Sequence, residues 1–257
     1  MSGNQLLREQ AIDELVWANR ILVNENVLDG FGHVSVRDPL QADRFLIARS
    51  MAPALVTAAD VLGCDLDGLV HDAQGRRSYM ERFIHSEIYR ARPDVQAVVH
   101  SHSPALIPFG VTSARLRPIC HMSSFLGSLT PVFEIRTSAG DNTDMLVRNA
   151  ALGRALAERL GPHQVALMRG HGGIAVGASL PHAVFRAVYT ESNARLQAQA
   201  MAIGEITFLT PGEAEAATET NNGQLERPWQ LWKQRLMEAG RAPPTVSPLA
   251  HPTETTA

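Results

Sequence analysis

Short apolar runs typical of β-strands cluster in the middle of this chain, with helical patterns before, between and after them. The strand-like runs are residues 33–37, 44–49, 64–70, 96–100, 131–136 and 164–177, the last divided by a glycine-rich turn. Apolar residues recur at helical spacing over 4–28, 80–94, 142–161 and 179–204. The chain lacks the regular strand–helix alternation of a doubly wound sheet, and no G-x-G-x-x-G opens a helix. The pattern therefore predicts one α/β domain that is not a dinucleotide-binding fold.

Composition and charge disfavour several classes of function. The 257 residues are 45% hydrophobic and 19% charged, with a formal net charge of −3, so no basic surface indicates nucleic acid binding. No apolar run approaches the ~18 residues of a membrane span, and the N-terminus lacks the pattern of a secretion signal. Cys64 and Cys120 lie in unrelated contexts, which disfavours a disulfide framework or a thiolate metal site. We expect a cytoplasmic enzyme or binding protein.

Three histidines have the setting of metal ligands. His100 and His102 end an apolar strand in "AVVHSHSPA", and alternate residues of a strand point to the same side. His171 follows another strand and lies between glycines in "LMRGHGGIA", where close approach of other groups is possible. Together they form a plausible three-nitrogen face for a divalent metal. The alternative is that the pair is polar surface at a strand end and His171 only shapes a loop.

A carboxylate precedes these histidines in the sequence. Glu81 stands in the first turn of the helix predicted before the histidine strand, where the helix dipole favours negative charge. It is either a functional carboxylate or an ordinary helix-terminal charge. His85 lies one turn further along the same face and suits a packing role as well as a ligand role.

In this order the motifs resemble the class II aldolase/adducin family. The matching segments are "GHVSVR" (32–37), "ERFIHSEIYRARPDVQAVVHSH" (81–102) and "RGHGGIA" (169–175), and the resemblance spans roughly residues 8–205. It implies a single-domain, three-layer α/β/α fold with a central, mostly antiparallel sheet. It also implies homo-oligomers, usually cyclic tetramers, with active sites at subunit interfaces.

The resemblance also implies a site chemistry. His100, His102 and His171 would hold a divalent metal, zinc or manganese, with cobalt or iron also compatible with three imidazoles. Glu81 would be an acid/base residue next to the metal. We expect residues 1–210 to form the catalytic domain, and residues 211–257 to form a helical extension followed by a disordered tail.

The chain departs from the sugar-phosphate aldolases of the family. Those enzymes hold phosphate with small residues in two loops, whereas here the first loop carries Arg49 and Ser50, and Tyr79 and Met80 precede Glu81. Met80 offers neither a hydrogen-bond donor nor room for phosphate. The aldolases also use a tyrosine in the segment matching "ICHMSSFLG", which contains none here. A sugar-phosphate substrate is therefore not expected.

The variant motifs are more similar to the family's metal-dependent decarboxylases of hydroxylated aromatic or pyridine dicarboxylates. Arg49, with Ser50 beside it, would bind a second carboxylate of a small anionic substrate, or else Arg49 pairs with an acidic neighbour. His33 and His121 are candidates for binding the substrate hydroxyl or carboxylate. The alternative for His33 is a cap on the turn after Gly32.

The sequence is also compatible with two other functions. The first is retro-aldol cleavage of a non-phosphorylated hydroxy-acid, which would use the same metal ligands. The second is a non-catalytic module like adducin. Retention of all three histidines and Glu81 disfavours this second function.

Overall fold

An eight-stranded sheet forms the centre of the computed structural model, which describes residues 3–71 and 73–244. Its strands are β1 His33–Arg37, β2 Arg44–Ala48, β3 Val61–Asp65, β4 Val70–His71, β5 Ala97–Ser101, β6 Val132–Phe133, β7 Val165–Met168 and β8 Gly172–Gly177. Their order across the sheet is β4-β3-β2-β1-β5-β8-β7-β6. Every neighbouring pair is antiparallel except β6 and β7. The mostly antiparallel central sheet is thus confirmed.

Helices cover both faces of the sheet. They are α1 Gly3–Asn24, α2 Arg82–Ala91, α3 Ile107–Val111, α4 Arg136–Ala139, α5 Ala150–Leu160, α6 Leu180–Ile203, α7 Pro211–Asn222 and α8 Glu226–Glu238, with 3₁₀ turns at Pro53–Leu55, Ala58–Asp60 and His121–Leu126. One core joins α1, α6 and α8 to the sheet, and a second core joins α2 and α5 to its other face. This arrangement confirms the three-layer α/β/α fold. No helix within the described ranges is long and apolar enough to cross a bilayer.

Local sequence signals explain where several helices begin and end. The Ser179 side chain caps α6 by accepting the backbone N–H of His182, and serine is among the residues favoured at this position. Helix α2 ends just before Pro93, which cannot continue it. Trp229 and Trp232 are buried in the core beneath α8, so this C-terminal helix packs on its own chain. Most of the tail predicted to be disordered lies outside the described residues, and the domain boundary at residue 210 stays a prediction.

The helix predicted for residues 142–161 is wrong in its first half. Helix α5 begins only at Ala150, and the Asn149 side chain caps it by accepting the backbone N–H of Leu152 at 2.9 Å. Met145 has a φ of 68°, which is incompatible with a right-handed helix. The residues before Asn149 form a loop whose backbone serves the candidate site described below.

Two predicted strands are shorter than expected. The run 131–136 gives only the two-residue β6, because the chain turns at once into α4. The run 64–70 is divided between β3 and β4 by a turn in which the Asp65 side chain accepts the backbone N–H groups of Asp67 and Leu69. Such short polar turns compete with the extended conformation.

Candidate metal centre

Two neighbouring central strands bring the three predicted histidines together, where β5 ends and β8 begins. His100 lies in β5 and His102 follows it, while His171 immediately precedes β8, which pairs with β5. Gly172 makes this approach possible: its φ is +149°, and a Cβ there would lie 2.0 Å from the carbonyl oxygen of Ser101. The glycine beside His171 is therefore required by close backbone contact between the strands.

Glu81 reaches the same place from the start of α2. It occupies the N-cap position but makes no side-chain capping hydrogen bond. Its Oε1 instead accepts the backbone N–H of Val147 at 2.9 Å, and its Oε2 lies 3.6 Å from Nε2 of both His100 and His171. The carboxylate is thus anchored by one oxygen and presents the other to the imidazoles, so it does not act as a simple helix-terminal charge.

The four side chains converge closely enough to surround one ion. One ligand atom from each of Glu81, His100, His102 and His171 lies within 4.8 Å of all the others, and Nε2 of His102 is 2.9 Å from Nε2 of His171. Nδ1 of His171 is 3.0 Å from the carbonyl oxygen of Met145, to which it donates. That bond leaves the Nε2 lone pair of His171 facing the cluster, as metal-ligating histidines require.

These residues fit a divalent metal on the chemistry of their donors. His100 is fully buried, yet neither of its ring nitrogens has a hydrogen-bond partner within the described ranges. A buried imidazole without a partner is costly, and a cation at the centre of the cluster would satisfy it. Three imidazoles and one carboxylate suit zinc, manganese, cobalt or iron.

The protonation states also suit metal binding. Burial alone raises the pKa of Glu81, but His100, His171 and the Val147 N–H outweigh this effect and lower the pKa to about 2. Burial, together with the charges of His100 and His171, lowers the pKa of His102 to about 4. Burial, followed by the charge of His100, also lowers the pKa of His171. At neutral pH, Glu81 is therefore anionic, and His102 and His171 are free to coordinate.

His33 lies directly beside this cluster. It pairs with His100 across β1 and β5, and their ring centroids are 4.9 Å apart. Its ring also lies 4.5 Å from that of Tyr79, and its Nδ1 is 2.6 Å from Nε2 of His85. The structure thus places His33 at the site and His85 behind it, where His85 hydrogen-bonds to His33 and lies outside the donor cluster.

Arg49 and Ser50 lie outside the cluster of four donors. Nε of Arg49 donates to Oδ1 of Asp60 at 2.7 Å, so the arginine has an acidic neighbour. Ser50 is exposed, and its backbone N–H donates to the carbonyl of Arg77. Burial raises the pKa of Tyr79 to about 12, and the nearby Arg49 charge opposes this rise. Arg49 also forms an isolated β-bridge with Ser78, the residue before Tyr79, whose ring borders His33.

The structure does not bring His121 to the donors of its own chain. His121 begins the 3₁₀ turn, where its carbonyl accepts from the Asn221 side chain. It lines a cavity of about 740 Å³ together with residues of α6, α7 and α8. Its role in substrate binding stays a prediction.

Sequence reasoning missed the loop that holds two of the donors. Met145 and Val147 contact His171 and Glu81 through backbone atoms, which leave no side-chain signature. The turn-forming residues of "GDNTD" just before them were the available sign that residues 142–148 are not helical. Phe31 was also missed: it is 69% exposed and stacks at 6.0 Å on the ring of His102.

Comparison with known proteins identifies the family of this chain. The family described as "Class II Aldolase and Adducin N-terminal domain" matches residues 13–198. Decarboxylase tropJ of Talaromyces stipitatus is 38% identical over 246 residues, which cover 86% of this chain and 91% of that protein. The 3,4-dihydroxyphthalate decarboxylase of Terrabacter sp. (strain DBF63) is 32% identical over 231 residues, covering 84% and 91%.

A solved structure shows the same fold. L-fuculose 1-phosphate aldolase from Glaciozyma antarctica PI12 superposes with a TM-score of 0.77 at 24% identity, covering 95% of this chain and 96% of that chain. At this identity the likeness concerns the fold alone. The family match, by contrast, spans most of the sequence and includes all four donors. The chain therefore belongs to the class II aldolase and adducin family, in which it falls with the decarboxylases.

Proposed function

We propose that this protein is a divalent-metal-dependent decarboxylase of a small hydroxylated aromatic or pyridine carboxylate. The observation that carries the proposal is the convergence of Glu81 with three imidazoles, beside His33. Similarity over most of the chain to two proteins named decarboxylases supports the reaction class. The substrate in the name of one relative, 3,4-dihydroxyphthalate, has a carboxylate next to a ring hydroxyl.

His100, His102 and His171 would hold the metal, with Glu81 beside it. When bound, a divalent ion supplies Lewis-acid chemistry to a ring hydroxyl and the adjacent carboxylate, which makes loss of CO2 easier. The chain's own task is then to orient the substrate and to move one proton.

Glu81 is the residue suited to move that proton. Its carboxylate is anionic at neutral pH, and the Val147 N–H tethers one oxygen while the other faces the site. It would take the proton of the ring hydroxyl and return it to the ring carbon that bears the leaving carboxylate. The bond from that carbon to the carboxylate breaks, CO2 departs, and a proton replaces it on the ring.

Arg49 would bind a second carboxylate. Nε of Arg49 donates a hydrogen bond to Asp60. In the described part of the chain, the two terminal nitrogens of Arg49 have no hydrogen-bond partner. A guanidinium held in this way can still form two parallel hydrogen bonds to a carboxylate. Met80 is 59% exposed and has no donor group, which argues against a phosphate cradle next to Glu81.

The proposal is tested by CO2 release from the zinc- or manganese-loaded protein. The panel contains 3,4-dihydroxyphthalate, other ortho-hydroxy aromatic and pyridine dicarboxylates, and non-phosphorylated hydroxy-acids. We expect CO2 from the ortho-hydroxy dicarboxylates, its loss with a chelator, and a fall in kcat of roughly 100-fold or more in Glu81→Gln. The matched control is Glu87→Gln, because Glu87 is also buried on α2 but lies outside the donor cluster.

Two outcomes would overturn the proposal. Carbonyl products from the hydroxy-acids without CO2 would assign retro-aldol cleavage to the site. No CO2 from any member of the panel, in protein shown to hold metal, would exclude decarboxylation of this substrate class.

We also propose that the protein acts as a homo-oligomer, as the family resemblance implies. His121 lies away from the donors of its own chain, so a neighbouring subunit is the route by which it would reach a substrate. Light scattering on the purified protein tests this, and a monomer at working concentration would contradict it.

A further inference from the structure

A chain of three hydrogen bonds runs from the core of the protein to the candidate site. The Tyr89 hydroxyl lies 2.8 Å from Oγ of Ser35, which lies 2.6 Å from Nδ1 of His85. Nε2 of His85 lies 2.6 Å from Nδ1 of His33, the residue beside the metal ligand His100. All four linked residues are at most 4% exposed. Burying polar groups this deep in the core costs free energy unless they are hydrogen-bonded, so each hydrogen of the chain is expected to have an acceptor.

The chain of hydrogen bonds has only one satisfactory direction. Among the described residues, the only acceptor for the buried Tyr89 hydroxyl hydrogen is Oγ of Ser35. Ser35 then donates its own hydrogen to Nδ1 of His85, because no other acceptor for that hydrogen lies among the described residues. If Oγ of Ser35 instead accepted from both Tyr89 and His85, the Ser35 hydrogen would be buried without an acceptor. The opposite direction would leave the phenol hydrogen buried without an acceptor, a loss comparable to a hydrogen bond.

This direction determines the proton positions on both imidazoles. Burial lowers the pKa of His85 to about 3, so the ring is neutral and carries one hydrogen. Because Nδ1 of His85 accepts from Ser35, that hydrogen is on Nε2 and is donated to Nδ1 of His33. A neutral His33 that accepts at Nδ1 carries its hydrogen on Nε2. That nitrogen has no hydrogen-bond partner in the described part of the chain.

We propose that Ser35, His85 and Tyr89 are positioning residues that hold His33 in the Nε2–H tautomer, so that His33 donates a hydrogen bond to an anionic oxygen of the substrate. The role toward substrate rests on the proposed decarboxylase function, whereas the tautomer does not. A neutral N–H donor recognises a carboxylate or phenolate oxygen. Such a histidine is not an acid that protonates the ring carbon, which leaves that step to Glu81.

The first test locates the hydrogen atoms directly. Neutron diffraction from crystals of the zinc-loaded wild-type protein, exchanged into deuterated buffer near neutral pH, distinguishes the two tautomers. We expect deuterium on Nε2 of both His33 and His85 and none on their Nδ1 atoms. Deuterium on Nδ1 of either ring would overturn the proposal. This experiment needs no substrate and no variant, so it decides the tautomer even if the proposed reaction is wrong.

The second test measures the consequence for substrate. Ser35→Ala removes the central link, and Tyr89→Phe removes the hydroxyl that sets the direction while keeping a ring to pack on Phe45. Ser86→Ala is the matched control, because Ser86 carries another fully buried hydroxyl on α2 that has no hydrogen-bond partner within the described residues. We expect KM for 3,4-dihydroxyphthalate, or for the panel member that releases CO2 fastest, to rise roughly tenfold in Ser35→Ala, with kcat within about twofold.

The outcomes separate the two proposals. Tyr89→Phe is expected to raise KM less than Ser35→Ala does, because Ser35 can still donate to His85. If both variants match Ser86→Ala in KM, or if kcat falls while KM does not change, the positioning role is wrong. If Ser35→Ala does not fold, Tyr89→Phe and the neutron map carry the test. If the wild type releases no CO2, the decarboxylase proposal fails. The neutron map alone then decides whether the chain of hydrogen bonds holds His33 in the Nε2–H tautomer.

Discussion

His171 illustrates how a single side chain depends on the backbone around it. The hydrogen bond from Nδ1 of His171 to the carbonyl oxygen of Met145 fixes the orientation of the imidazole ring, so Nε2 of His171 faces the other donors. We predict that His171→Ala lowers the affinity for zinc by about 100-fold, since it removes one of the three imidazoles proposed as ligands. Metal content after dialysis against a weak chelator is the measurement.

The control for this experiment is His163→Ala. His163 lies in the turn before β7, outside the donor cluster, and its loss should leave metal content unchanged. Equal metal content in the two variants would remove His171 from the ligand set.

Arg49 allows a prediction about substrate selection. Lysine carries the same charge but lacks the planar fork that binds a carboxylate through two hydrogen bonds. It would also lose the Nε contact with Asp60. We predict that Arg49→Lys raises KM for dicarboxylates about tenfold and has a smaller effect on ortho-hydroxy monocarboxylates. Steady-state kinetics with matched mono- and dicarboxylates measures the difference.

Arg44→Lys is the corresponding control, since Arg44 begins β2, the strand that leads to Arg49. Equal changes in KM for both substrate classes in Arg49→Lys would show that the guanidinium does not contact a second carboxylate.

Among individual side chains, the four donors could be predicted because each has a local signature. Two histidines alternate at a strand end, one lies between glycines, and Glu81 precedes a helix. Met145 and Val147 could not be predicted, because they act through a carbonyl and an N–H that every such residue possesses. The hydrogen-bonded chain behind His33 was equally hidden, since it links residues about 50 positions apart in the sequence.

At the level of elements, the approach of β8 to β5 depends on Gly172. A methyl group at this position would clash with the Ser101 carbonyl, and its φ of +149° is unfavourable for other residues. We predict that Gly172→Ala lowers the free energy of unfolding by at least about 3 kcal/mol. It should also weaken metal binding, because the strands that carry His100 and His171 must separate. Urea unfolding and metal titration test the two effects.

Gly204→Ala provides the comparison. Gly204 follows α6, and a Cβ there meets nothing within 4 Å. Its substitution should change the free energy of unfolding by less than about 1 kcal/mol. If Gly172→Ala were as stable as Gly204→Ala, close approach of the strands would not be needed.

The helix predicted over residues 142–149 is absent for a physical reason. Apolar residues continue at helical spacing through this stretch, so periodicity favours a helix. A helix would consume the Val147 N–H and the Met145 carbonyl in its own hydrogen bonds. The structure uses these groups for Glu81 and His171 instead, so the site overrides the local preference.

The sequence predicted the fold class of the protein but not the order of strands in its sheet. The pairing of β1 with β5 joins residues more than 60 positions apart, and β6 runs parallel to β7 at the far edge. No local pattern specifies such distant partners. The antiparallel arrangement of the sheet was predicted from the family resemblance, because hydrophobic periodicity alone does not say whether neighbouring strands are parallel or antiparallel.

The buried histidines make the stability of the whole protein sensitive to acid. Burial lowers the pKa of His85 to about 3, and burial with the charge of Arg186 lowers that of His182 to about 4. Unfolded histidines titrate near 6.5, so below this pH the unfolded chain binds more protons and stability falls as pH decreases. We predict a loss of about 1.2 kcal/mol for each of these histidines between pH 6 and 5, measured by urea unfolding with chelator present. His182→Gln should remove one proton from this slope, and an unchanged slope would contradict the assignment.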